Sequence, residues 1–170
     1  MKKVLLLSGS NRNGYSNKIL TLINDKISSP EFLKLKDYDI KFCTGCLWCD
    51  SNKACIIKDD LQIIIDKILD SDLVVIAIPN YFGNMSGFFK NFIDRLHYMY
   101  KKEIIDNKKI IFIYTGAGNK GLTMEEMTQA TYYVEKYLKL DVIKRFSFSS
   151  REEMVEEDIL KICNFINSRK

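Results

Sequence analysis

Four of the chain's five cysteines, Cys43, Cys46, Cys49 and Cys55, fall within thirteen residues in the pattern C-x2-C-x2-C-x5-C. Three thiols at three-residue steps wrap a small cage inside one loop and a fourth closes it, which is the supply of thiolates that a [4Fe-4S] cube takes. Gly45 eases the bend. Structural zinc sites more often draw on two C-x2-C pairs separated by a long insert, so zinc is the less natural ligand for this spacing. A disulfide pair suits an oxidising compartment, and oxidisable thiols are the remaining reading. No cysteine of the cluster is followed by the arginine of a C-x5-R loop, which removes a phosphatase-type nucleophile.

Around this cluster the other reactive side chains read more plainly. Cys163 shares a stripe with Val155, Ile159, Ile162 and Ile166 and is expected in the core. His97, the only histidine, reads as a surface or satisfied side chain, and Trp48 either shields the thiols or packs on the core. Asp59 and Asp60 are adjacent, so on a helix they point in different directions; capping suits them better than acid/base work.

A second kind of chemistry lies in three glycine- and amide-rich loops. In SGSNRNGYSN, Gly9 and Gly14 permit close backbone approach while Ser8, Ser10, Ser16 and Asn17 offer donors at a helix start, the ingredients of a phosphate cradle, with Arg12 as an added charge. The loop is neither a P-loop nor a G-x-G-x-x-G turn, and an ordinary strand-to-helix turn is its plain alternative. PNYFGNMSG puts the aromatic faces of Tyr81 and Phe82 after a strand-stopping Pro79, with Met85 read as core. TGAGNKG offers bare backbone at Gly116, Gly118 and Gly121. A ligand with a phosphate at one end and a planar heterocycle at the other suits all three, and FMN is such a ligand.

The elements that must position these loops follow from hydrophobic periodicity. Strands are expected at Val4 to Leu7, somewhere in residues 32 to 42, at Leu73 to Pro79, at Ile110 to Gly116, and over the stretch DVIKRFSFS. Helical stripes fall between them: Ile19, Leu20, Ile23 and Ile27 after a Ser16 cap; Leu61, Ile64, Ile65, Ile68 and Leu69 after Asp59 and Asp60; and Phe88, Phe89, Phe92, Ile93 and Leu96. Capping boxes at Thr123 with Glu126 and Ser150 with Glu153 mark two more helices. Strands alternating with helices argue for an α/β fold, a doubly wound five-stranded parallel sheet, whose ligand sits beyond the carboxyl ends of the strands. All three loops leave strand ends there.

Composition narrows the partners. At 170 residues and 46% hydrophobic content the chain reads as a single domain over residues 1 to 170. Its net charge of +4 comes from scattered residues without a basic tail, so neither nucleic acid nor a membrane surface is expected as a partner. The apolar run after MKK is too short for a signal peptide, and a cytoplasmic location is expected.

Here a resemblance becomes specific. GSNRNGYSN resembles the opening G-S-x-R-x-x-G-x-S of the NADPH-dependent FMN reductase branch of the flavodoxin-like fold, and PNYFGNMSGFFKNFIDR resembles its P-x-Y…S-G-x-x-K-x-F-I-D-R stretch, over about the first two thirds of the chain. The cysteine spacing with the following Asp59-Asp60 resembles the compact cluster motif of iron-sulfur flavoproteins, a subgroup of that family.

The resemblance implies strand order 2-1-3-4-5 and an FMN phosphate held by Ser10, Arg12, Ser16 and Asn17. It implies a flavin bordered by Pro79, Asn80, Tyr81, Phe82, Gly83 and Asn84, with Gly116 near the ring. It further implies a [4Fe-4S] cluster on Cys43, Cys46, Cys49 and Cys55, and packing or subunit contact for Lys90, Asp94 and Arg95. The expected activity is FMN-dependent oxidoreduction from NAD(P)H or a protein donor, in a homodimer or homotetramer, with no side chain acting as acid or base. Two alternatives stay open: a non-catalytic FMN and [4Fe-4S] electron carrier, and a zinc-binding regulatory or interaction module.

Overall fold

A computed structural model describes residues 2–169. Five parallel strands, β1 (Val4–Ser8), β2 (Glu31–Lys34), β3 (Leu73–Tyr81), β5 (Lys109–Gly116) and β6 (Asp141–Ser149), lie in the order β2-β1-β3-β5-β6, and a two-residue strand β4 (Asn84–Met85) turns back antiparallel on the end of β3. Leaving out β4, this is the expected order 2-1-3-4-5. The central strands are apolar on both faces, as burial between two helix layers requires.

Period-two alternation divides the core. Leu5, Leu7, Val74, Ile76, Phe112 and Tyr114 face α3 (Leu61–Asp70), α4 (Gly87–Arg95) and α6 (Lys120–Tyr137). Leu6, Val75, Ala77, Ile111 and Ile113 face α1 (Tyr15–Asn24) and α7 (Glu156–Asn167), where Cys163 is a core thiol as expected. The remaining helices are α2 (Trp48–Asn52), inside the cysteine loop, and α5 (His97–Lys102).

The helix starts differ from the sequence expectation, each for a tertiary reason. Helix α1 begins at Tyr15 after Gly14 with no side-chain cap, because the Ser16 hydroxyl is turned inward to Thr115 Oγ1 at 2.7 Å. Helix α6 is capped by Asn119, which accepts from Gly121 and Leu122, so Thr123 and Glu126 form no capping box. Nor do Ser150 and Glu153, since α7 starts at Glu156. Asp60 precedes α3 without a side-chain cap bond, while Asp59 accepts from the Leu61 amide but spends most of its carboxylate on Arg95. The stripe ending in Leu96 stops there, and His97 opens a separate helix.

Candidate functional site

The first loop is pinned to the sheet where Gly9 N donates to Ala77 O at 2.9 Å. Gly9 is a steric necessity: a Cβ there would sit 2.4 Å from the Phe89 ring. Beyond it the chain folds on the Arg12 carbonyl, which accepts from Ser10 Oγ (3.0 Å), Gly14 N (2.8 Å) and Asn17 Nδ2 (2.9 Å). The first-turn amides of α1 therefore meet neither a capping side chain nor an acidic residue. Four amide donors at a helix start need partners, and the helix dipole makes an anion the favoured one. In helix α6, by contrast, the Asn119 side chain accepts from two of the first-turn amides.

The second loop is a two-residue hairpin. Phe82 (φ 59°) and Gly83 (φ 76°) are both left-handed, the pattern of a type I′ turn between β3 and β4. Phe82 pays conformational strain there and buries nothing, its side chain standing wholly in solvent. At the base of the hairpin Asn80 Nδ2 donates to Glu126 Oε2 at 2.6 Å, and in the third loop Gly116 is packed so closely that a Cβ would lie 3.0 Å from Thr123 Oγ1.

These loops enclose a cleft of about 130 Å³. Seven of the residues expected from the sequence border it: Ser10, Arg12, Ser16, Pro79, Asn80, Tyr81 and Gly116, with the Arg12 guanidinium 5.9 Å from the Tyr81 ring centre. Gly14, expected as a cradle glycine of the first loop, borders it too, and so do Tyr15, Thr115, Ala117 and Ser150, which local pattern does not single out; Tyr15, Thr115 and Ala117 adjoin expected positions, whereas Ser150 reads locally only as a helix cap. Asn17 lies behind the loop it braces, and Phe82, Gly83 and Asn84 lie beyond the cleft on the hairpin. Two buried oxygens near the cleft, Asn80 Oδ1 and Thr123 Oγ1, have no hydrogen-bond partner among the described residues, and neither has Asn17 Oδ1. Buried polar atoms are rarely left so, which fits a site that takes a polar ligand.

The cysteine loop is a different construction. Its ends are joined: Asp59 Oδ2 accepts from Lys41 N at 3.0 Å, and Arg95 donates to both Asp59 oxygens, to Lys41 O and to Ile57 O. Burial works against the Asp59 charge, but Arg95 and the amides of Lys41 and Leu61 outweigh it and hold the carboxyl below the usual range. Inside this neck, Cys43 and Cys46 are exposed, Cys49 and Cys55 half-buried, and Gly45, Leu47 and Lys53 take left-handed backbone. Trp48 is half exposed beside them and is no core residue.

A tetrahedral zinc site with bonds of about 2.3 Å holds its sulfurs about 3.8 Å apart. Among the described residues, the one trio of metal-capable ligand atoms within 4.8 Å of one another is Cys49, Asp50 and His97, with a single cysteine in it. The four-thiol zinc cage is thus not formed. Cys43 and Cys55 border different cavities. The donor set still suits iron and sulfide in kind and number, four soft thiols on one short closed loop. His97, expected at the surface, brings Nδ1 to 3.5 Å from Cys49 Sγ. Nothing local in the sequence foretells that contact.

The described residues contain no helix long and apolar enough to cross a membrane. The chain is 37% identical over 97 residues to an iron-sulfur flavoprotein of Archaeoglobus fulgidus, covering 55% of this chain and 48% of that one. It is 31% identical over 126 residues to an iron-sulfur flavoprotein of Clostridioides difficile, covering 69% and 56%. The chain thus spans about half the length of these curated relatives. Among solved structures it superposes on a flavone reductase with a TM-score of 0.67 at 19% identity, over 95% of this chain and 59% of the other. On azoreductase AzrA the TM-score is 0.66 at 16% identity, over 95% and 94%; both are likenesses of fold. The family model for NADPH-dependent FMN reductase matches residues 2–152, and with that match the chain belongs to the NADPH-dependent FMN reductase family.

Proposed function

We propose that this protein is an FMN-dependent oxidoreductase that takes electrons from NAD(P)H or a protein donor and passes them to a small-molecule or protein acceptor. The observation that carries the reading is the uncapped start of α1, with no acid in its first turn, beside a cleft bordered by buried hydroxyls. Ser10, Ser16 and the α1 amides bind the phosphate, Arg12 neutralises it, and Asn17 keeps the loop in shape through the Arg12 carbonyl. Pro79, Asn80, Tyr81 and Gly116 border the ring, with Phe82, Gly83 and Asn84 beside them on the hairpin, and Asn80 Oδ1 and Thr123 Oγ1 are acceptors for its polar edge.

FMN, when bound, supplies the means to accept a hydride and to release electrons one at a time. The protein's part is to orient the ring, keep its polar edge bonded and exclude water from its buried side. Cys43, Cys46, Cys49 and Cys55 would hold a [4Fe-4S] cluster, which supplies one-electron transfer. What supports it is the donor set and the likeness to proteins named iron-sulfur flavoproteins. Assembly as a homodimer or homotetramer in the cytoplasm belongs to the same reading.

The test is anaerobic titration of the apoprotein with FMN and with riboflavin, followed by its absorption spectrum. FMN should bind at least tenfold more tightly than riboflavin, and Arg12→Ala should erase most of that difference. Equal affinity for the two would overturn the phosphate assignment. Steady-state NAD(P)H oxidation with added acceptors then separates a reductase, which turns over, from an electron carrier, which does not.

A further inference from the structure

Arg95 is 2% exposed and sits at the end of α4, 40 residues after the last cysteine of the loop and outside the flavin cleft. Its guanidinium reaches both ends of the cysteine loop. Nη1 donates to Lys41 O at 2.7 Å, two residues before Cys43, and to Asp59 Oδ2 at 2.6 Å; Nη2 donates to Asp59 Oδ1 at 3.2 Å and to Ile57 O at 3.4 Å, two residues after Cys55. Both side chains of the pair are 1% exposed. A fully buried pair costs desolvation that only close, bidentate geometry offsets, and an apolar pair would close a loop more cheaply. The charge therefore asks for a second use.

The second observation is Nε. It is buried and has no hydrogen-bond partner among the described residues. Arg95 borders a cavity of about 190 Å³ together with Cys55, Tyr98 and Gln62. Of the four loop thiols, Cys55 alone borders that cavity, so it is the one that shares a wall with a fixed cation whose Nε donor is unused. N–H groups directed at ligand sulfur are a main means by which a protein orients and tunes a metal–thiolate centre.

We propose that Arg95 is the positioning residue of the cysteine loop: it closes the neck through Asp59 and holds Cys55 as the pre-set ligand to which the other three thiols are brought when iron and sulfide bind. The proposal rests on the reading of the four cysteines as a cluster site. It adds that the site is assembled from its C-terminal end, with Cys43 and Cys46, both exposed, joining last.

The test compares wild type, Arg95→Lys and the double variant Asp59→Leu/Arg95→Met after anaerobic reconstitution with iron and sulfide. The double variant removes charge from both sides and so avoids leaving either partner buried alone. It should bind FMN within twofold of wild type yet retain less than half the iron, and Arg95→Lys should keep iron while shifting the potential of the centre. A double variant with full iron and an unshifted potential overturns the proposal, as does one that loses FMN in proportion to iron, the mark of a merely structural role. If wild type itself takes up no iron, the cluster reading is lost and the neck is read separately. Amide hydrogen exchange over residues 43–55 of the iron-free protein should then be at least tenfold faster in the double variant, and equal exchange overturns the positioning role.

Discussion

At the strand-end cleft, Ser10, Ser16 and Gly116 are buried and tied by main-chain and hydroxyl bonds to the ends of β1, β3 and β5, so the site exists as soon as the sheet does. In the cysteine loop the order is reversed: the Asp59–Arg95 pair at the neck is buried and bonded to both ends of the loop, whereas Cys43 and Cys46 stand in solvent. A flavin meets a surface that folding has already paid to organise. The thiols meet a metal with only their tether organised, and the rest of the ordering falls to the metal.

This contrast predicts where stability resides. Asp59→Ala leaves the Arg95 charge buried without its partner, and should cost about 3–5 kcal/mol in urea unfolding, the largest effect of any change in either region. The carboxyl sits below its ordinary value of 3.8, so the unfolded chain binds the proton more readily than the folded one. The stability it contributes is fully present above that value and is lost as pH falls through the lower folded value. The gap between wild type and Asp59→Asn should therefore narrow in acid below 3.8. A gap that is flat from neutral pH down to pH ~2 would mean that the neck is not held by charge.

Next in size is Gly9→Ala, on the cleft side. The added methyl would meet Phe89 at 2.4 Å, and overpacking of this kind costs about 1–3 kcal/mol. Because Gly9 also anchors the phosphate loop to Ala77 O, FMN affinity should fall with stability. Melting temperature and flavin fluorescence quenching read the two effects, and unchanged binding would show the loop to be independent of its anchor.

How much of this was legible in the sequence follows the same division. The apolar run from Leu73 stands where local pattern puts it, since a parallel strand covered on both faces leaves an unbroken apolar signature. The edge strand Asp141–Ser149, mixed with charges and half-buried, also stands at its expected bounds. The helix starts did not follow local pattern. Asn119 takes the cap of α6 and leaves Thr123 packed under Gly116, while Glu126 is taken by Asn80 and Ser16 turns to Thr115, two partners distant in the chain. The loops of the cleft were readable because glycine and hydroxyl residues have few other reasons to gather at strand ends. The neck was not, because Asp59 and Arg95 are 36 residues apart and each has an ordinary local reading, one as a cap and the other as a helix-end cation. The approach of His97 to Cys49 is hidden for the same reason.

A smaller effect sharpens the cleft side. Phe82→Gly removes a ring that packs on nothing in the described structure and replaces a left-handed aromatic by the residue that tolerates φ of 59°, so it should stabilise the apoprotein by about 1 kcal/mol. Destabilisation in solution would mean that the exposed ring is covered there, and sedimentation of the variant against wild type would reveal whether a second copy covers it.

The smallest effect belongs to the thiols themselves. Cys43→Ser/Cys46→Ser alters two exposed side chains of a loop whose ends are closed elsewhere, and such surface changes move stability by no more than about 0.5 kcal/mol. Urea unfolding of the metal-free double variant should match wild type, and FMN affinity should be unaltered, since neither residue borders the cleft. Iron uptake should be lost, because two of four donors are gone. That combination, intact fold and flavin with no metal, is what an organised tether with unorganised donors requires. A loss of about 2 kcal/mol or more would instead make the thiols part of the folded core of the loop, and the difference between the two regions would disappear.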